Sequence, residues 1–181
     1  MTFPGPVTLT DGRLLLRLPQ ESDVAAITAA CQDEELARFV PVPVPYTDDH
    51  ARTFVAERPA RWQADDGEMT WAVTDAADGR LLGMIGLHAR DPSMREIGFW
   101  VVPEARGRGV ITDAARLVIR FGFEVLHLGR VEWCALVGNV ASRRVADKLG
   151  FQFEGTARGG LLHRGERVDG WVAGLLPGEL R

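Results

Sequence analysis

Lysine is almost missing from this chain. Of its 21 basic residues, Lys148 is the one lysine and the rest are arginine. Arginine codons are GC-rich, so the bias is as readily a mark of the genome as of function. Tyrosine is also scarce, with Tyr46 alone. The two cysteines, Cys31 and Cys134, lie far apart and without metal-ligand spacing, so they read as buried thiols in a reducing compartment. No window holds 18 uncharged apolar residues, which predicts no membrane-spanning helix. The N-terminus lacks a basic start followed by an apolar run, so it does not read as a secretory signal. A formal net charge of −4 argues against a general nucleic-acid binder. There are no repeats and no low-complexity linker. The resulting expectation is one cytoplasmic domain over residues 1–181, without metal, membrane or nucleic-acid partner.

What is present is a core-forming chain, 46% hydrophobic over 181 residues. The apolar run 13–19 reads as a first strand. Residues 21–33 read as a helix with Ser22 as N-cap and Val24, Ile27 and Cys31 on one face. Pro41, Pro43 and Pro45 make 39–49 a stiff loop. A helix should start near Thr47 and be kinked or divided at Pro59. Two strands flank Asp78-Gly79 as a hairpin, and 94–102 forms the next strand. The helix after the Arg106–Gly109 loop sets Ala114, Leu117, Val118, Phe121 and Val125 on one face. Residues 130–137 form a strand. Residues 139–150 form a helix with Asn139 as N-cap and Gly150 as stop. Segments 151–158 and 167–176 close the chain as strands. The order predicts an α/β (α+β) domain whose mixed central sheet has about six or seven strands flanked by helices.

The basic residues cluster. Arg106, Arg108, Arg116 and Arg120 surround one loop and its helix, and Arg143, Arg144 and Lys148 sit on a later helix, which suggests a single anionic ligand. The loop itself, Arg106-Gly107-Arg108-Gly109, runs into Val110-Ile111-Thr112 at a helix start. First-turn N–H groups lack internal partners, and glycines keep side chains out of the way. Together they suit a phosphate or diphosphate. A P-loop is excluded for want of its Gly-Lys-[Ser/Thr] ending, and the dinucleotide fingerprint fails because Thr112 stands at its third glycine. A plain turn, whose glycines serve only positive φ, stays open at this point.

The preceding strand is apolar on both faces, so it reads as central, and Glu96 within it needs a partner or a cleft. A structural ion pair with Arg90 or Arg95 is one reading and a functional carboxylate the other. Glu96 lies ~20 Å along the strand from Val102. That is about the reach of the arm of coenzyme A.

The text 96–114, "EIGFWVVPEARGRGVITDA", followed by 129–155 and 167–176, resembles the GNAT acetyltransferase superfamily and most closely its RimJ/RimL-type branch. The resemblance spans roughly residues 8–176. It implies a bacterial, acetyl-CoA-dependent N-acetyltransferase, with acetyl-CoA as co-substrate. The backbone of Trp100, Val101 and Val102 would hold the pantetheine arm. The loop Arg106, Gly107, Arg108, Gly109, Val110, Ile111 and Thr112 would hold the diphosphate, although Ile111 stands where a small residue is usual. Asn139 and Ser142 would lie beside the thioester. Many relatives use a tyrosine as acid where this chain has Ala146, and some have a glutamate where it has Leu161. RimL-type relatives carry a serine at the position of Ser142, so the resemblance implies Ser142 as the acid, and Glu96, directly or through water, is the best remaining base. An oxyanion would meet an N–H near Val101.

With no activated nucleophile motif, direct transfer in a ternary complex is expected. The acceptor would be a primary amine: a protein N-terminal α-amine by resemblance, with a small-molecule amine such as an aminoglycoside as the alternative. Succinyl-CoA or another acyl donor, and a non-catalytic acyl-CoA-binding module, are the competing readings. A homodimer is compatible with all of them. The acceptor end is expected at 39–50 and 157–166, with Asp48, Asp49 and Glu166 supplying charge and His50 at its edge. His88, His127 and His163 read as structural or surface groups, Cys134 as a packed thiol, and Asp169 as either a recurrent family residue or a local strand contact. The five tryptophans read as core by default.

Overall fold

The computed structural model describes residues 5–64 and 67–181. Their elements, in chain order, are β1 (Leu9–Thr10), β2 (Leu14–Arg17), α1 (Val24–Ala30), α2 (Glu34–Phe39), α3 (Asp48–Gln63), β3 (Met69–Asp75), β4 (Leu81–Asp91), β5 (Met94–Val101), α4 (Val110–Glu124), β6 (Arg130–Leu136), α5 (Val140–Leu149), β7 (Gln152–His163) and β8 (Glu166–Leu175). Among the described residues one sheet holds eight strands in the order β1-β2-β3-β4-β5-β6-β8-β7. This is the expected mixed sheet with one strand more. The addition is the two-residue β1, too short to leave a periodic signal, which pairs Leu9 with Leu16. All neighbours are antiparallel except β5 and β6. No helix among the described residues is long and apolar enough to cross a membrane.

Period-two alternation sends each central strand into two cores. Trp71 and Val73 of β3 enter the larger one, beneath Ala114, Val118 and Phe121 of α4. Ala72 enters the smaller one, with Val24 and Ile27 of α1 and Ala51 and Val55 of α3. Ala115 and Ile119 widen the buried stripe of α4, whereas Val125, expected on that face, is 53% exposed because the helix ends just before it.

Three local readings change. Ser22 lies inside a 3-10 turn, Glu21–Asp23, and does not cap α1. Asp23 organises the turn instead, accepting from Gln20 N–H (2.8 Å) and from Arg17 (2.7 and 2.9 Å). The separate helix α2 follows, capped by Asp33, whose carboxylate accepts from Leu36 N–H (2.8 Å). Pro59 does not divide α3, which runs unbroken to Gln63; it removes one N–H donor without ending the helix. The start at Thr47 holds, through a capping box with His50.

Trp71 is the hub of the larger core. Its ring meets Trp62 at 4.7 Å and Phe121 at 5.9 Å, both edge-on, and its indole N–H reaches Val7 C=O (2.9 Å). Trp71→Ala should destabilise the fold by ~3–5 kcal/mol, read as a fall in the urea midpoint.

Candidate active site

The site begins where two strands separate. β5 and β6 pair only from Met94↔Arg130 to Glu96↔Glu132. Beyond that, β5 stays with β4 and β6 with β8. Val102 N–H donates to Leu82 C=O (2.9 Å). By alternation Trp100 and Val102 turn their main-chain groups toward β4, while Phe99 and Val101 turn theirs toward the gap. Of the three residues expected to receive an arm, Val101 therefore presents its amide to open space, and Phe99, not anticipated, presents another.

A groove of about 130 Å³ runs along this free edge, between Phe99–Val101, Val145 of α5 and Leu36 and Phe39 of α2. Arg106 and Ile111 stand at its loop end and Asn139 and Ser142 at the other. Ile111 is 5% exposed, so its bulk goes into the groove wall and away from the loop surface. Gly109 is the N-cap of α4 with φ 77°, and Gly107 has φ 72°. A Cβ on Gly107 would find nothing within 4 Å, and on Gly109 only Asp113 Oδ2 at 3.7 Å. The first helical bond on Gly109 C=O comes from Asp113 N–H (3.0 Å), so the amides of Val110, Ile111 and Thr112 precede the ladder. The loop is an open cradle of donors.

The loop's arginines divide. Arg106 pairs with Asp33 and with Glu35 (2.9 Å), so its charge ties the loop to the start of α2. The guanidinium beside Asp33 holds that carboxyl below its usual range. Arg116 is held by Asp113 (2.8 Å) and Arg181 C=O (2.8 Å), and Arg143 by Asp147 (3.0 Å). Arg108, Arg120, Arg144 and Lys148 are exposed. The sequence cluster thus contains fewer free cations than its count suggests, because Arg106, Arg116 and Arg143 already have partners.

At the inner end Asn139 caps α5, its side chain accepting from Ser142 N–H (3.1 Å). Ser142 Oγ accepts from the indole N–H of Trp133 (2.9 Å). The indole can only donate, so the serine's own proton is left to point elsewhere. Trp133 is 1% exposed and was expected to serve packing alone. Its spacing nine residues before Ser142 was visible in sequence but carries no recognised meaning.

A second cavity of about 560 Å³ opens on the same Ser142. Its floor is one face of the sheet, with Glu96 and Trp100 of β5, His88 of β4 and Cys134 of β6; Phe39–Pro41 and Leu161–His163 form its rim. Of the segments expected at the acceptor end, only 39–41 and 161–163 line this cavity, and the expected charges do not. Asp48 and Asp49 occupy the first turn of α3 and Glu166 starts β8, and none lines the cavity. The carboxylates there are Glu68 and Glu96. Glu96 is paired with Arg90, the ion pair foreseen as its structural reading, and its neighbour Glu132 is held by Arg130 (3.3 Å). His50 belongs to the cap of α3 and His127 is exposed, whereas His88 and His163 line the cavity. Asp169 accepts from Gly159 N–H (2.8 Å), a strand brace. Tyr46 sits in the smaller core, and burial pushes its hydroxyl up to about 12.

Burial pushes both thiols up, to about 11. For Cys134 the carboxylate of Glu132 adds to the rise. Alkylation by iodoacetamide at pH 7 should run ~100-fold slower than for a free thiol and accelerate toward pH 11, followed by mass spectrometry.

The acetyltransferase (GNAT) domain profile matches residues 13–152. The chain belongs to that family and is an acyltransferase. YdaF of Bacillus subtilis (strain 168), whose name assigns it provisionally to ribosomal N-acetyltransfer, is 49% identical over 94 residues; the match covers 51% of this chain and 51% of YdaF. The uncharacterized N-acetyltransferase YoaA of the same strain is 30% identical over 166 residues, 91% of this chain and 93% of its own. Among solved structures, a probable acetyltransferase is 34% identical with a TM-score of 0.83, covering 96% of this chain and 98% of that one.

Proposed function

We propose that this protein moves an acetyl group from acetyl-CoA to a primary amine by direct transfer in a ternary complex. The observation that carries this reading is the meeting of two cavities at Ser142, one from the open loop and one lined by Glu68 and Glu96. The donor's diphosphate lies on the amides of residues 107–112, with Arg108 beside it, where a Cβ on Gly107 would meet nothing within 4 Å and one on Gly109 only Asp113 Oδ2. Its pantetheine arm pairs with the free main-chain edge at Phe99 and Val101 as an added strand would. The thioester then reaches Asn139 and Ser142.

The acceptor enters from the larger cavity. Glu68 and Glu96 supply negative charge for its ammonium form. The neutral amine attacks the thioester carbonyl, forming the C–N bond. Val101 N–H faces the oxygen on which charge develops. When the C–S bond breaks, Ser142 hands its proton to the thiolate and takes one from the nitrogen, which leaves amide and free thiol. Neither thiol of the protein is suited to a covalent acyl intermediate, because both stay protonated near pH 7.

For the acceptor we favour a protein N-terminal α-amine. The cavity is broad, open-rimmed and bordered by Phe39, Val40 and Pro41 at the end of α2 and by Leu161 and Leu162 of β7, and the name of YdaF points to a ribosomal acceptor. The test is release of coenzyme A thiol with acetyl-CoA and a panel of N-terminal peptides, aminoglycosides and polyamines. Turnover confined to peptides supports the assignment, and turnover confined to small amines replaces it. A larger thermal shift with succinyl-CoA than with acetyl-CoA would change the donor.

Two variants probe the donor side. Gly109→Glu places a carboxylate in the cradle and should raise the acetyl-CoA Kd at least ~10-fold, read by calorimetry. Ser142→Ala should lower kcat by ~100-fold while leaving that Kd unchanged.

A further inference from the structure

The larger cavity contains a histidine that the reaction above has not used. His88 lies on β4 directly opposite Glu96, and the next positions on that face are Gly86 and Gly98, themselves paired across the strands. The two glycines leave room for the imidazole. Its Nε2 stands 3.0 Å from where a Cβ on residue 98 would be and 3.3 Å from one on residue 86. The ring therefore leans along the cavity floor from Glu96 toward Trp100, the direction of the thioester. Its other nitrogen, Nδ1, faces Glu68 Oε1 at 3.6 Å. Glu68 is in turn fixed by Arg58 (2.6 Å), which α3 holds almost fully buried. Beside them the hydroxyl of Thr70, across from Gly86, has no hydrogen-bond partner, a free polar atom in the cavity wall.

From this geometry we infer that His88 is the base that takes the proton from the acceptor's ammonium group, with Glu68 as its positioning residue. This rests on the acetyl-transfer reading and deepens it. The negative charge of Glu68 on the Nδ1 side, 3.6 Å away and longer than a direct hydrogen bond, favours the ring proton there, which leaves the Nε2 lone pair over Gly98. The step balances simply. The ammonium N–H breaks, the proton moves to Nε2, and the imidazolium later gives it to water while the neutral amine attacks. Glu96, opposite, is already engaged with Arg90.

The charges around the ring fit a base that is neutral near pH 7. Burial holds the imidazole below its ordinary range. Glu68 pulls it upward, and Arg58, Arg90 and Arg95 press it downward. Protonation removes the lone pair, so activity should be lost as pH falls through a midpoint below 6.5. Removing Glu68 takes away the one upward pull and should move that midpoint lower still.

The experiment uses the full chain, acetyl-CoA and the best acceptor from the panel above, with kcat/KM followed against pH. His88→Gln should cut kcat by ~100-fold and abolish the acid limb, with the acetyl-CoA Kd unchanged. Glu68→Gln should shift the limb to lower pH, which a merely structural role would not do. Histidine 15N spectra of the unmutated protein give a readout independent of the acceptor and of any variant's folding: His88 should be the Nδ1–H tautomer and titrate below 6.5. A kcat for His88→Gln within about threefold of the parent with the acid limb retained overturns the assignment. So does an Nε2–H tautomer. Failure of the parent protein to bind acetyl-CoA would instead overturn the donor reading and leave the spectra to decide His88.

Discussion

Everything at the site depends on the parting of β5 from β6 after Glu96 and Glu132. A continuous ladder would bury the main-chain groups of Phe99 and Val101 in ordinary sheet bonds. Separation leaves them without strand partners in a cleft, where an unpaired N–H or C=O is costly unless water or a ligand meets it. The same separation makes room between the sheet halves for aromatic side chains and for the N-terminus of α5. One topological fact therefore yields an acceptor of hydrogen bonds, a groove and a neighbouring helix end together.

The elements around that cleft are held by guanidinium contacts. Arg106 ties the loop before α4 to Asp33 and Glu35 at the start of α2. Arg58 ties α3 to Glu68 ahead of β3. Arg130 of β6 binds Glu154 of β7 through two bonds of 2.7 Å, and Glu154 lies below its ordinary range as a result. The partly exposed pairs contribute little to stability individually. Their value is positional: a planar fork fixes both distance and angle, so each wall of the cleft keeps its place relative to the loop. The scarcity of lysine, whatever its origin, leaves these tethers to guanidiniums, and three of them, Arg17 on Asp23, Arg106 on Asp33 and Arg130 on Glu154, meet both carboxylate oxygens.

How much of this could be read from the residues alone follows from which signals are local. Helix α4 was legible because its apolar positions recur at helical spacing and its loop announces itself with glycines. Helix α5 was legible through Asn139 and Gly150. The strand pair around Asp78-Gly79 needed only a turn. The two-residue β1 had no period to show, and α2 was hidden behind the proline segment that follows it. Arg106 could be placed in the loop, but its partners are some seventy residues upstream, and no spacing rule reports such a contact. The cavity's charges were misplaced for the same reason. Asp48, Asp49 and Glu166 are close to the rim in sequence, whereas Glu68 arrives by pairing of β3 with β4. His88 looked isolated because its relation to Gly86 and Gly98 exists only once strands are in register.

Burial then sets the ionisable groups of the cleft and of the smaller core with one physical effect acting in two directions. Removing water disfavours whichever form of a group is charged. It therefore raises the thiols of Cys31 and Cys134 and the hydroxyl of Tyr46, and lowers the imidazole of His88. All four groups are pushed toward neutrality near pH 7. A neutral thiol is a poor nucleophile, so neither cysteine is set up for covalent chemistry near pH 7. A neutral imidazole is a competent proton acceptor. The partial burial that keeps both cysteines protonated also favours the neutral form of His88, whose side chain is still 43% exposed, and under the proposed reaction that combination suits direct transfer between two bound molecules.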